Sequence, residues 1–166
     1  GLKFHPGGES ELEPVIKAAV ANAKEAVRQA GKEAFIALDM GPTGKLLKPL
    51  GDLDFEAAVG LYRDIARIGA GEGVDLALIE TMSDSYEIKA AVLGVKEACD
   101  LPIFVTMVFD EKGKLLTGGT VESMAALLEG LGVDGIGVNC GLGPVQMKPI
   151  VEKLLKVTSL PVIVNP

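Results

Sequence analysis

The sequence predicts an α/β fold, a parallel-stranded part of a (β/α)8 TIM barrel, and three observations carry the prediction. Short apolar runs alternate along the chain with longer segments of helical period. The runs begin at Phe35 ("FIALDM"), Val74 ("VDLALIETM"), Pro102 ("PIFVTMVFD"), Asp134 ("DGIGVNC") and Leu160 ("LPVIVNP"). They are too apolar to be half-exposed and too short for ordinary helices, which marks buried parallel strands. Finally, a doubly wound dinucleotide sheet would want G-x-G-x-x-G directly after a strand; "GLGP" follows Cys140 instead and the third glycine spacing fails.

Taken in order, the helical segments carry their own start signals. "SELE" at Ser10 to Glu13 fits a capping box ahead of the first helix. Asp54 precedes "FEAAVGLYRDIARIG" and Asp84 precedes "SYEIKAAVLGVKEA", each as an N-cap candidate. Thr120 can cap "VESMAALLEGLG", and Pro149 suits the first turn of "PIVEKLLKVT", where a missing N–H costs nothing. Strand, helix, strand, repeated with right-handed crossovers, builds a parallel sheet. About five strands are legible, whereas a complete barrel has eight and about 250 residues. The predicted organisation is therefore a single unit over 1–166, a piece of a barrel lacking its first strands and its last strand.

Composition removes several function classes. Lys plus Arg number 16 against 23 Asp plus Glu, a net charge of -7, which disfavours a nucleic-acid surface and a polybasic membrane patch. Aromatic residues make up 4%, too few for base-stacking platforms. No apolar run approaches roughly 20 residues, and no leader-like N-terminus is visible. The expectation is a cytoplasmic protein with no nucleic-acid or membrane partner. Two cysteines are too few for a disulfide framework. Cys99, in "KEACDLP", reads as a packed helix cysteine.

In parallel α/β folds the reacting groups gather beyond the carboxyl ends of the strands. Those ends are Asp39 with "MGPTG", Glu80 with Thr81, Asp110, Asn139 with Cys140, and Asn165. Asp110 reads more simply as a cap for the next helix. Glu80 leaves three residues before a helix can start at Ser83 or Asp84, so it should point into the mouth, where an ammonium group would suit it. "GPTGK" at Gly41 to Lys45 lacks the spacing of a phosphate loop and reads as a glycine-jointed loop over the mouth. The sole histidine, His5, lies away from any strand end, so a Cys–His nucleophile pair is disfavoured. Cys140 itself stays open between nucleophile, metal ligand and small structural residue.

The motifs taken together resemble a known family. "DMGPTGKLLKPLGDLDFEAA", "GVDLALIETMSDSYEIKAAVLGVKE", "LPIFVTMVFDEKG" and "GVDGIGVNCGLGPVQMKPIVEKL" look like the zinc- and homocysteine-binding barrel of cobalamin-dependent methionine synthases, from about Ala30 to Pro166. The resemblance implies a (β/α)8 barrel in which the cysteine matching Cys140 binds zinc and the glutamate matching Glu80 holds the homocysteine amino group. Asp39 and Asn139 match positions lining the same mouth. It implies zinc as cofactor, with methylcobalamin and methyltetrahydrofolate acting through other modules, a cobalamin-carrying module being the partner. The family's other zinc thiolates are an adjacent cysteine pair after the next strand, beyond Pro166, so the chain alone is expected to be inactive. Three rival readings stay open. One is a methyl donor such as betaine or S-methylmethionine. The second is a non-catalytic partial barrel that self-associates through its edges. The third is a barrel enzyme using Asp39 and Glu80 as acid and base.

Overall fold

The computed structural model describes residues 8–166; His5 lies outside them. The elements are α1 (Gly8–Ala30), β1 (Ala37–Met40), α2 (Phe55–Gly71), β2 (Leu76–Met82), α3 (Ser85–Ala98), β3 (Ile103–Met107), α4 (Val121–Gly130), β4 (Gly135–Asn139), α5 (Pro144–Val157) and β5 (Val162–Asn165). All five apolar runs become strands of one parallel sheet in the order β1-β2-β3-β4-β5. No helix among the described residues is long and apolar enough to cross a membrane.

Alternation along each strand divides the sheet into two unlike faces. Leu38, Met40, Ala77, Ile79, Val105, Met107, Ile136 and Val138 are buried in the main core, together with Tyr62 and Ala66 of α2, Val92 and Val95 of α3, Leu128 of α4 and Leu154 of α5. The residues between them belong to the opposite face, where Ala37 and Asp39 are exposed and Leu78, Glu80 and Phe104 half-buried. Helices therefore cover one side, as on the outside of a barrel, and the concave side carries the strand-end groups.

Local sequence explains how each strand starts. Twice the chain spells Gly-Val-Asp, at Gly73–Asp75 and Gly132–Asp134. Each glycine has positive φ, +72° and +65°, and each valine is buried. Each aspartate then accepts the backbone N–H of a neighbouring strand's entry: Asp75 from Ile36 at 2.6 Å and Asp134 from Ile103 at 2.8 Å. Between them, α2 and α3 pack closely at Gly94, where a Cβ would stand 2.6 Å from the Val59 carbonyl oxygen.

The helix starts agree in part. Asp84 caps α3, accepting from Tyr86 N–H at 2.8 Å, and Thr120 caps α4 in a reciprocal box with Ser123. Asp54 occupies the N-cap of α2, but its carboxylate pairs with Lys48 at 2.8 Å instead of an amide. Three expectations are corrected. Ser10 lies within α1, which already includes Gly8. Pro149 lies within α5; Pro144 takes the first turn, because Gly143 supplies the extended N-cap. Asp110 caps no helix: its carboxylate accepts from Lys112 and Lys114 N–H, both at 2.9 Å, and closes a turn after β3. Cys99 is the C-cap of α3, half-buried, with Sγ near the Val95 carbonyl.

Candidate functional site

At the carboxyl ends of the strands, backbone strain and side-chain chemistry coincide. Among the described residues the non-glycine positions with positive φ are Thr81 (+60°) and Cys140 (+52°). Both follow directly on strand-end groups picked out by the sequence. A β-branched residue with positive φ is costly, about 1–3 kcal/mol, and persists only where its surroundings fix it. Here Thr81 N–H donates to Asn139 Oδ1 at 3.2 Å and Asn139 Nδ2 donates to Thr81 Oγ1 at 2.7 Å. Asn139 is buried, so this reciprocal pair ties the tip of β2 to the tip of β4 across β3. The ladder between β2 and β3 shifts register between Ile79 and Met82, which brackets Glu80 and Thr81 in a bulge.

Cys140 then turns the chain out of β4. Its N–H donates to the Asn165 carbonyl of β5 at 3.1 Å, and its own carbonyl accepts from Leu142 N–H at 2.7 Å. The thiol is free and exposed, with Sγ 3.5 Å from Asn139 Nδ2. Gly141 follows with φ +72°, and a Cβ there would meet Val108 at 2.8 Å. A left-handed step at Cys140 and a glycine after it present the sulfur at the rim.

Asp39 and Glu80 belong to neighbouring strands and, by register, to the same face: Asp39 pairs with Leu78, two residues before Glu80. Burial pushes both carboxyls above the ordinary carboxylate range, and Glu80 is raised further by the negative charge of Asp39. Among the described residues neither carboxylate forms an ion pair with a basic side chain, so the pair is an anionic spot short of a cation. The remaining strand-end residues play other parts. Asn165 is exposed and pairs in register with Asn139, while Asp110 is exposed and occupied by its turn.

One acidic residue of the mouth rim is not marked by any strand-end rule. Glu87, in the first turn of α3, is buried at 3% exposure. Its Oε1 accepts from Thr43 N–H at 2.7 Å and Thr43 Oγ1 at 2.6 Å, and the Tyr62 hydroxyl lies 3.0 Å away. The "GPTGK" loop is thus pinned to the helical layer, and Leu47 and Leu53 further along it pack on Ala58, Val59 and Ala90. The later part of the loop docks on α2 and α3 because its leucines find apolar cover there. A concavity of about 950 Å³ at the opposite end of β1, lined by Val27, Arg28, Phe35 and Asp75 among others, holds none of these groups.

No group of three or more His, Cys, Asp or Glu among the described residues is placed to hold a metal ion. Cys140 offers one thiolate, and a tetrahedral zinc site needs about four ligands. The described residues do not make a zinc site by themselves.

The homocysteine S-methyltransferase family model matches residues 3–166. The chain belongs to the homocysteine S-methyltransferase family. Among curated relatives of this family member, the methionine synthase of Mycobacterium leprae is 36% identical over 132 residues, 76% of this chain and 11% of that protein. The methionine synthase of Mycobacterium tuberculosis is 31% identical over 140 residues, 81% of this chain and 12% of that protein. The chain therefore spans only about a tenth of the curated relatives it matches. Its fold is similar to the homocysteine methyltransferase MmuM from Escherichia coli. The apo form has TM-score 0.80 at 22% identity over 98% of this chain and 62% of that one. The metallated form has TM-score 0.73 at 19% identity, over 96% and 58%. The expected partial (β/α)8 barrel and the methyltransferase family both stand.

Proposed function

We propose that this chain is the homocysteine-holding part of a methionine synthase-type S-methyltransferase. The observation that carries the reading is the anionic pair, Asp39 and Glu80, on the concave face of the same strand ends that expose Cys140. An α-ammonium group would supply the cation the pair is short of, and a four-carbon thiol amino acid held there could reach toward the rim with its sulfur. Asn139, bonded to Thr81, stands at the tip of β4 directly before Cys140. Placement of this kind is the protein's main contribution to a methyl transfer, since a held nucleophile reacts as if highly concentrated.

Cys140 would be one ligand of the zinc that the family uses to hold a thiolate. The other ligands must come from outside the described residues, so the chain alone is inactive in this reading. The missing barrel strands come from the same source, making residues 1–166 one piece of a larger barrel. Methylcobalamin, recharged from methyltetrahydrofolate on other modules, would be the methyl donor, as the motif resemblance implies. The cytoplasm, where thiols stay reduced, is the place of action. In isolation the open edges of β1 and β5 pair with a second copy.

Equilibrium dialysis of homocysteine against 4-mercaptobutyrate, the same thiol acid without its amino group, tests the substrate reading. The chain should prefer homocysteine, and Glu80→Gln should erase most of that preference. A hydrogen bond to a charged group is worth about 1.5–3 kcal/mol, roughly a tenfold to hundredfold change in affinity. Equal binding of the two thiols by the unaltered chain would sink it. Elemental analysis after dialysis should return little zinc; about one zinc per chain would overturn the incomplete metal site.

A further inference from the structure

We propose that Glu87 is a positioning residue for the ammonium subsite, holding the tip of β1, and with it Asp39, through Thr43. The significance for substrate rests on the reading above; the latch itself does not.

Its placement is the first argument. Asp84 and Glu87 have the spacing of a capping box at the start of α3, where a glutamate in the third position ordinarily folds back onto the cap residue's N–H. Asp84 caps the helix through the second position instead, accepting Tyr86 N–H. Glu87 turns away to another element, 44 residues earlier in the chain, and brings a carboxylate into the interior to do so. A buried carboxylate is retained at a cost unless several donors satisfy it, whereas plain packing at this helix position would be served by leucine or methionine.

The donors are the second argument. Oε1 takes the Thr43 N–H, the Thr43 hydroxyl and, at 3.0 Å, the Tyr62 hydroxyl. The Tyr62 oxygen also stands 3.2 Å from the Gly41 carbonyl, and Tyr62 is 1% exposed. Burial first and the Glu87 charge second keep the phenol far above its usual titration range, so Tyr62 remains a proton donor. The chain is therefore held at successive points beyond Asp39: Met40, buried against the helices, then Gly41 beside Tyr62, then Thr43 on Glu87. Gly44, at φ +81°, releases the chain from that track. β1 has four residues and, among the described residues, β2 as its one strand neighbour. A four-residue strand has few ladder bonds to set its tip, and the Glu87 latch supplies the rest.

Hydrogen exchange on the full chain reads the latch without any ligand. In Glu87→Leu, the Thr43 amide should exchange roughly tenfold faster or more, with faster exchange reaching back to Met40, while α3 keeps its protection. Unchanged exchange at Thr43 would overturn the proposal. Glu87→Gln keeps an oxygen acceptor and should stay within about threefold of the unaltered chain; a glutamine variant as loose as the leucine one would also overturn it. Should the leucine variant lose protection throughout, Tyr62→Phe removes one donor only and should loosen Thr43 by a few-fold; no change there sinks the latch. The dialysis pair then separates positioning from packing. Glu87→Leu should reduce the preference for homocysteine over 4-mercaptobutyrate, whereas equal weakening of both ligands would mean a purely structural residue. Should the unaltered chain show no preference, the substrate reading falls, and the exchange result alone still decides the latch.

Discussion

At the residue scale the informative pair is Asp39 and Glu80. Each carboxyl is raised, so the folded chain binds these protons more tightly than the unfolded chain does. Their effect on stability therefore favours the fold at low pH and is lost as pH rises from the ordinary carboxylate range through the raised values. Asp39→Asn should lower the Glu80 midpoint yet leave it above that of a free glutamate, because burial is the larger cause and the Asp39 charge the smaller. A carbon-detected NMR titration of the Glu80 carboxyl checks this, and a midpoint indifferent to the substitution would mean that the two groups do not face one another. Ligand binding runs the other way. An ammonium group needs the carboxylates charged, so its affinity should fall as pH drops, beginning above the ordinary carboxylate range. The strand-end rule found both residues from sequence. It could not show that they adjoin, since that follows from the pairing of β1 with β2.

Among the elements, α2 and α3 provide two glycines of opposite consequence. A Cβ at Gly94 would stand 2.6 Å from Val59 O and 2.8 Å from Arg63 N, both backbone atoms that cannot step aside. Gly94→Ala should force the helices apart and cost about 1–3 kcal/mol. A Cβ at Gly60 would meet only the end of Arg63, at 3.7 Å. Gly60→Ala should stabilise by about 0.5–1 kcal/mol through helix propensity alone. Thermal melts of the two variants should move in opposite directions; a shared direction would show that the α2–α3 approach is looser than described. The sequence marks both glycines as helix interior and nothing more. Caps, by contrast, were legible where the capping group is next in sequence, as at Asp84 and Thr120. They were misread at Ser10 and Pro149, which lie inside helices that already include Gly8 and Pro144.

For the whole molecule the consequence is an open structure. Among the described residues strands β1 and β5 each have one neighbour, and the concave face leaves Leu78, Phe104 and Ile163 half-exposed. Unpaired edges and a partly bare sheet face favour association between copies. Light scattering at micromolar concentration should give at least twice the 17.2 kDa of one chain. A monomeric mass would remove self-association and leave completion of the barrel to segments outside residues 1–166.

The sequence by itself determined the five strands, their parallel arrangement, the strand-end residues and the family, because each is written in local periodicity or in contiguous motifs. Tertiary structure decided three things: that Asn139 restrains a left-handed Thr81, that Asp39 raises Glu80, and that Glu87 serves Thr43 instead of its own helix cap. Each joins groups from 41 to 58 residues apart, as the positions Asp39 and Glu80, Thr43 and Glu87, and Thr81 and Asn139 show. Side-chain hydrogen bonds and charges act through space over a few ångströms, and no pattern along the chain records which distant residue will fill that distance.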